Sequence, residues 1–208
     1  MTEVSRSSAR GRLLEAAQDM LREVGMSGTG IKDVGTRSGA PIGSLYHYFP
    51  DGKTQLVTEA LGIQGEKSRR LLEHFFDGRM TAAAALRSLF DTAAEGFERA
   101  GANKGCAIGA VTLDLMRTDK EVRDVCKNTF EEWMSVIAPH LLFSDERSRR
   151  AFAMMVVVAL EGAFVLGRAT QSGEPFRIAG ESLAAMVSTN KPGGVGRAIR
   201  RSKSGRRQ

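Results

Sequence analysis

The chain has 208 residues, 42% of them apolar, which is enough for one sizeable core or two small ones. It holds no run of about 18 or more apolar residues, and its polar N-terminus has no signal-peptide core, so a membrane is not an expected partner and the cytoplasm is the expected location. The net charge of +6 sits in the tail, because residues 189–208 carry seven Lys/Arg and no acid while residues 1–188 carry 23 basic against 24 acidic groups. A basic body is therefore not an argument for a nucleic-acid partner. Cys106 and Cys126 lack the spacing of a disulfide or zinc motif, and His47, His74 and His140 are scattered. Reduced thiols, no metal, no cofactor and no catalytic cluster are the expectation.

Helical signals run from end to end. Ser7 or Ser8 caps a first helix with Leu13, Ala17, Met20 and Val24 on one stripe, widened by Leu14 and Leu21, and Gly25 sits where a glycine ends a helix. Thr29 is placed to cap a helix from Gly30 to Ser38. A glycine turn leads into a short helix over residues 43–49, stopped by Pro50-Asp-Gly52. From Lys53 a long helix carries Leu56, Ala60, Ile63, Lys67 and Leu71 to about Phe76. Ala82 to Ala100 forms another, Gly101 to Gly105 interrupts, and Cys106 to Met116 is short and apolar. Thr118-Asp-Lys-Glu121 reads as a capping box for a helix ending near His140. Ser144 caps a long helix, Asp145 to Thr170, and Pro175 opens a last one to Val187. This predicts an all-α fold of about nine helices, with residues 189–208 as a disordered basic tail.

Two short helices joined by a tight turn form the unit that lays a recognition helix in a DNA major groove. Leu45 and Phe49, four residues apart, share a face expected to pack on Ile31, Val34 and the first helix. At about 100° per residue, His47 points away from that face with Tyr46 and Gly43 beside it. Gly43 lets backbone approach a phosphate, Ser44 and Tyr46 carry hydroxyls, and His47 offers ring nitrogens to a base edge or phosphate. Lys53 sits at a helix N-terminus, where backbone N–H groups favour a phosphate. Arg6, Arg10 and Arg12 add a local basic arm.

Thr29 to Lys53, with Leu45-Tyr-His-Tyr-Phe49 followed by Pro50-Asp-Gly-Lys53, resembles the DNA-binding domain of TetR-family transcriptional regulators. Gly39-Ala-Pro, Gly43-Ser-Leu-Tyr-His and Gly105-Cys-Ala-Ile-Gly109 look closest to the LmrA/YxaF-type subgroup, in which Gly-Cys starts a ligand-domain helix. The resemblance is detailed over residues 8–60 and extends elsewhere only as helix order and length. One departure is Gly30 and Gly35 on the first motif helix, each costing about 1 kcal/mol against Ala in a helix.

The resemblance implies a DNA-binding domain over 1–52 and a helical ligand-binding and dimerisation domain over 53–188. It implies DNA contacts from Thr29, Lys32, Ser44, Tyr46, His47 and Lys53, to which Gly43 and Tyr48 on the same helix are added. Tyr46 and Lys53 are assigned to phosphates, and Lys32, Ser44 and His47 to bases or their surroundings. The expected action is repression at a palindromic double-stranded operator, relieved by a small hydrophobic effector. Its cavity is expected among Cys106, Thr112, Met116, Phe130, Trp133, Met134 and Phe164, with Asn128 or Gln171 as further polar groups. A homodimer is expected through the last two helices, where Ala159, Gly162, Ala163 and Gly167 recur at three- and four-residue spacing. Glu161, inside an apolar helix, reads as a rim or hydrogen-bonded core residue. Two other classes fit less well. A helical protein–protein adaptor leaves the outward Tyr46–His47 face unexplained, and an all-α enzyme lacks clustered acids, bases or metal ligands.

Overall fold

The structure, a computed structural model, describes residues 8–189. It is all-α, with nine α-helices among the described residues: α1 (Ala9–Gly28), α2 (Ile31–Ser38), α3 (Ile42–Tyr48), α4 (Gly52–Phe75), α5 (Ala82–Arg99), α6 (Ala107–Asp114), α7 (Lys120–Ile137), α8 (Glu146–Thr170) and α9 (Glu174–Thr189). A 3-10 turn, Ala138–His140, follows α7. Arg6 and the tail beyond Thr189 lie outside the described residues, and Thr189 itself still belongs to α9.

Capping chemistry differs from the expected pattern at three starts. Thr29 does not cap α2; Gly30 occupies the N-cap with extended backbone, so it lies outside the helix and its helix-interior cost does not arise. The Thr118 capping box is not formed, because Asp119 takes the N-cap position and accepts instead from the Met116 N–H at 2.8 Å. Asp145 rather than Ser144 caps α8, accepting from the Ser148 N–H at 2.8 Å. Ser8 caps α1 as expected, accepting from the Gly11 N–H.

Helices α1 to α3 close around Leu13, Leu21, Val34, Leu45 and Phe49, all fully buried. Arg10 folds back over this cluster, pairing with Glu59 and lying 5.2 Å from the Phe49 ring centre, while Arg12 donates to the Ser38 carbonyl. Arg10 and Arg12 of the local basic arm expected from the sequence are thus engaged within the protein. Helix α4 leaves this domain and crosses α7, where Trp133 Nε1 donates to the Gly65 carbonyl at 3.2 Å. Helices α5, α8 and α9 meet at an aromatic cluster in which Phe176 lies 5.3 Å from Phe97 and 4.9 Å from Phe164. Glu98 takes two hydrogen bonds from Arg177 and one from the Gly173 N–H, which ties the start of α9 to α5. These bonds hold the Glu98 carboxyl below its usual range, Arg177 being the larger cause.

Two residues of the small-residue stripe on α8 do not face outward as expected for a dimer contact, while Ala159 and Gly162 are half-buried. Ala163 is buried, and Gly167 is packed against Ser172, Phe176 and Phe97. The exposed apolar side chains of α8 are Met154, Met155, Val158, Val165 and Leu166, joined on α9 by Ile178 and Met186. Helix α8 has the length and mean hydropathy to cross a bilayer, although it contains no unbroken apolar run of that length. Phe152, Ala153, Val156, Val157, Ala163 and Gly167 nonetheless bury one side of it against the other helices.

Gly25 is where α1 meets the rest of the chain. Its φ of 68° and ψ of −170° lie in a region open essentially to glycine, and a Cβ there would stand 2.4 Å from Asp114 Oδ2. Gly25→Ala should therefore lower unfolding free energy by about 1–3 kcal/mol, from backbone strain before any clash is counted. Urea unfolding measures this, and an unchanged midpoint would show that the turn tolerates a side chain.

Candidate nucleic-acid interface and ligand cavity

The outward face of α3 is built by its inward one. Leu45 and Phe49 have no exposed surface, and they fix the rotation of the helix so that Gly43, Tyr46 and His47 are exposed, Tyr46 by 57%. Ser44 is half-buried. Tyr48 packs partly into the core and lies edge-on to His47, with ring centres 5.1 Å apart, so it supports the His47 ring from behind. Lys53 is in the first turn of α4, whose N-terminus has no side-chain cap. Lys32 is exposed on α2. Among the described residues neither lysine has an ion-pair partner, whereas Arg10 and Arg37 are held by Glu59 and Glu23.

Thr29 departs from this surface. It is only 1% exposed and its hydroxyl donates to the Gly25 carbonyl at 2.6 Å, so its side chain closes the α1 turn and is not available as a DNA contact. The sequence signal pointed to a threonine at a helix start, which fits either use.

A cavity of about 360 Å³ lies between α6, α7 and α8, lined by Gly105, Cys106, Gly109, Ala110, Thr112, Leu113, Phe130, Glu161, Gly162, Phe164, Val165 and Arg168. Four of the expected lining residues are there: Cys106, Thr112, Phe130 and Phe164. Three are not. Met116 is 68% exposed beyond the end of α6. Trp133 is 3% exposed and spends its indole N–H on Gly65 at the α4–α7 crossing, touching the cavity only through Phe130, whose ring centre is 5.5 Å away. Met134 packs into the core beside it. Asn128 and Gln171 are exposed and off the cavity wall. A second, open hollow near the start of α7 is lined by Thr54 and residues 118–122 and 124. Its walls are mostly charged, unlike those of the first.

Sequence reasoning missed Glu161 as a lining group. Its Oε1 atom is buried and has no hydrogen-bond partner. Burial raises the Glu161 carboxyl above its usual range, opposed by the contact with Cys106. The Cys106 thiol is raised well above its own, first by burial and then by the neighbouring carboxyl. Cys106 is a cap, its Sγ accepting from the Gly109 N–H at 3.5 Å, rather than an activated nucleophile. A polar residue on an otherwise apolar stretch of α8 was the available signal.

The cavity wall is tied to the unit formed by α1 to α3. Gly105 donates its N–H to the Arg22 carbonyl at 2.9 Å and accepts from Arg22 Nε at 3.2 Å. Arg168 Nη2 donates to the Glu23 carbonyl at 2.8 Å. Asp114, at the far end of α6, accepts from the Ser27 N–H at 2.9 Å, and Lys104 pairs with Asp19 and Glu23. Gly105, Arg168, Asp114 and Lys104, four residues of the second domain, thus grip the last turns of α1.

Comparison with known proteins fits this arrangement. Residues 13–60 match the family described as bacterial regulatory proteins of the tetR family, and residues 82–182 match the C-terminal domain of the LmrA/YxaF-like transcriptional regulators. The HTH-type regulator YxaF of Bacillus subtilis (strain 168) is 26% identical over 88% of this chain and 97% of its own. An HTH-type regulator of Mycobacterium tuberculosis (strain H37Rv) is 30% identical over 88% of this chain and 96% of its own. In fold, the chain is similar to a TetR regulatory protein from Rhodobacter sphaeroides, with a TM-score of 0.76 at 24% identity over 85% of this chain and 97% of that one. It is also similar to a cysteine mutant of CifR complexed with 26bp double-strand operator DNA, with a TM-score of 0.72 at 18% identity over 83% and 94%. An outward-facing helix-turn-helix, a helical second domain and matches along both halves make this chain a member of the TetR family of DNA-binding transcriptional regulators.

Proposed function

We propose that the chain is a ligand-responsive repressor that binds a palindromic operator as a homodimer and leaves it when a small hydrophobic molecule fills the cavity between α6, α7 and α8. The observation that carries this reading is the grip of Gly105 and Arg168 on α1, because both also line the cavity. A molecule that displaces either wall group changes the seating of α1, and with it the recognition helix that α1 supports. Couplings of this kind are commonly about 1–3 kcal/mol, or 5–150-fold in affinity. Repression is the mode carried over from the family resemblance.

On DNA, α3 enters the major groove with Gly43, Ser44, Tyr46 and His47 toward it. Lys53 and Tyr46 take phosphates, and Lys32, Ser44 and His47 take bases or their edges. Tyr48 acts by holding His47. The DNA-binding unit is residues 1–52, with α4 carrying the chain onward. Support comes from the two unpaired lysines and from the uncapped α4 N-terminus next to Lys53. Lys53→Ala should weaken binding to all sequences alike and reduce the salt slope by about one unit. His47→Ala should change the preference among operator variants by about 1–3 kcal/mol. Titration of operator variants at several salt concentrations checks both, and wild-type behaviour of the two variants would remove α3 from the interface.

One recognition helix covers a half-site, and a two-fold dimer presents two at about 34 Å or a multiple. The exposed apolar row on α8 and α9 supports an interface there, since a face of this size is seldom left to water. Ala163→Arg would damage the core instead, because Ala163 points inward. Leu166→Arg, on an exposed position, should yield folded monomers that lose operator binding. Light scattering with unchanged helicity is the check, and a variant that stays dimeric would move the interface to another face.

A further inference from the structure

The cavity contains one group that its apolar walls do not explain. Leu113, Phe130, Phe164 and Val165 suit a hydrocarbon or aromatic body, yet Glu161 brings a carboxyl among them with Oε1 buried and unpartnered. The carboxyl is built in rather than accidental. It lies against Gly109, where a Cβ would stand 2.0 Å from Glu161 Oε2, so any other residue there would displace it. The cation on the same wall, Arg168, reaches away and donates to the Glu23 carbonyl. The polar neighbour of the carboxyl, Cys106, accepts from the Gly109 N–H as a helix cap and offers the carboxyl only its weak S–H donor, which leaves Oε1 without a partner.

A buried carboxylate without a counter-charge is costly, and a cation with N–H donors recovers that cost when it arrives. We infer that the effector is a lipophilic amine: an apolar body of one or two rings on Phe130, Phe164, Leu113 and Val165, with an ammonium group donating to Glu161 Oε1. This rests on the effector-cavity reading and adds its chemistry. The volume of about 360 Å³ is at the small end for ligand pockets, which sets the size. An ammonium next to Glu161 restores the carboxylate form that burial disfavours. A carboxylate-bearing molecule of the same shape meets the opposite field and is rejected.

The test is calorimetric titration of the full chain with three probes that share one body: phenylpropylamine, phenylpropanol and phenylpropanoate. In the wild type the amine should bind at least about tenfold more tightly than the alcohol, with the carboxylate weakest. Glu161→Gln keeps the volume over Gly109 and should erase the preference for the amine over the alcohol. Equal binding of amine and alcohol to the wild type, or a preference that survives in Glu161→Gln, overturns the amine assignment and leaves the cavity as a ligand site. Binding of none of the three overturns both the assignment and the cavity reading.

Discussion

The docking of the end of α1 on the second domain is the contact on which the rest of the structure depends. The C-terminal turns of α1 supply backbone groups at Arg22, Glu23 and Ser27, and each finds a partner on Gly105, Arg168 or Asp114. Such backbone groups are left over at a helix end and must be satisfied somewhere. Here they are satisfied across a domain boundary, which turns an obligatory need into a clasp. Gly25 makes the approach possible, since a side chain would collide with Asp114 and the turn requires a positive φ. Without the clasp, the small three-helix domain would be joined to the remainder mainly through α4.

The same helices that receive the clasp enclose the cavity. Helix α6 presents Gly105 and Cys106 at its start and Asp114 at its end, and one face of it lines the hollow between. Helix α8 is used on three sides. One is packed against α7 and α9, one carries Glu161, Phe164 and Arg168 to the cavity, and one leaves Val158 and Leu166 exposed. Cavity, clasp and exposed apolar face are thus within one helix width of each other. Packed interiors rearrange in discrete steps rather than deforming smoothly.

Much of this was legible in the sequence because it depends on periodicity and on short-range stops. The apolar spacing of Leu13 to Met20, the Leu45–Phe49 pair and the glycine at Gly39 place the first three helices closely, except that α1 runs past the expected stop at Gly25, which is a kink, to Gly28. The outward set on α3 followed from the same arithmetic. What failed depended on long-range contact. Thr29 looks like a cap or a DNA contact until Gly25 brings its own carbonyl within reach. Gly167 looks like part of a dimer stripe until Phe97 of α5 and Phe176 of α9 close over it, and Ala163 beside it is buried too. Trp133, Met134 and Met116 have the composition of a cavity wall, but α4 claims the first, the core claims the second, and α6 ends before the third. Glu161 was seen, but that it lacks a partner is a three-dimensional fact.

The account stands or falls on whether the clasp carries information between DNA and cavity. Linkage is reciprocal, so operator binding must alter the cavity wall if the cavity is to alter operator binding. The direct measurement is amide hydrogen exchange of the full chain with and without operator DNA, followed at Ser27, at Gly105 and along residues 105–114. The account predicts changed protection at Ser27 and Gly105 and along the cavity-facing part of α6, although none of these lies on α2, α3 or α4. Changes confined to residues 8–60, with α6 untouched by operator, would contradict it.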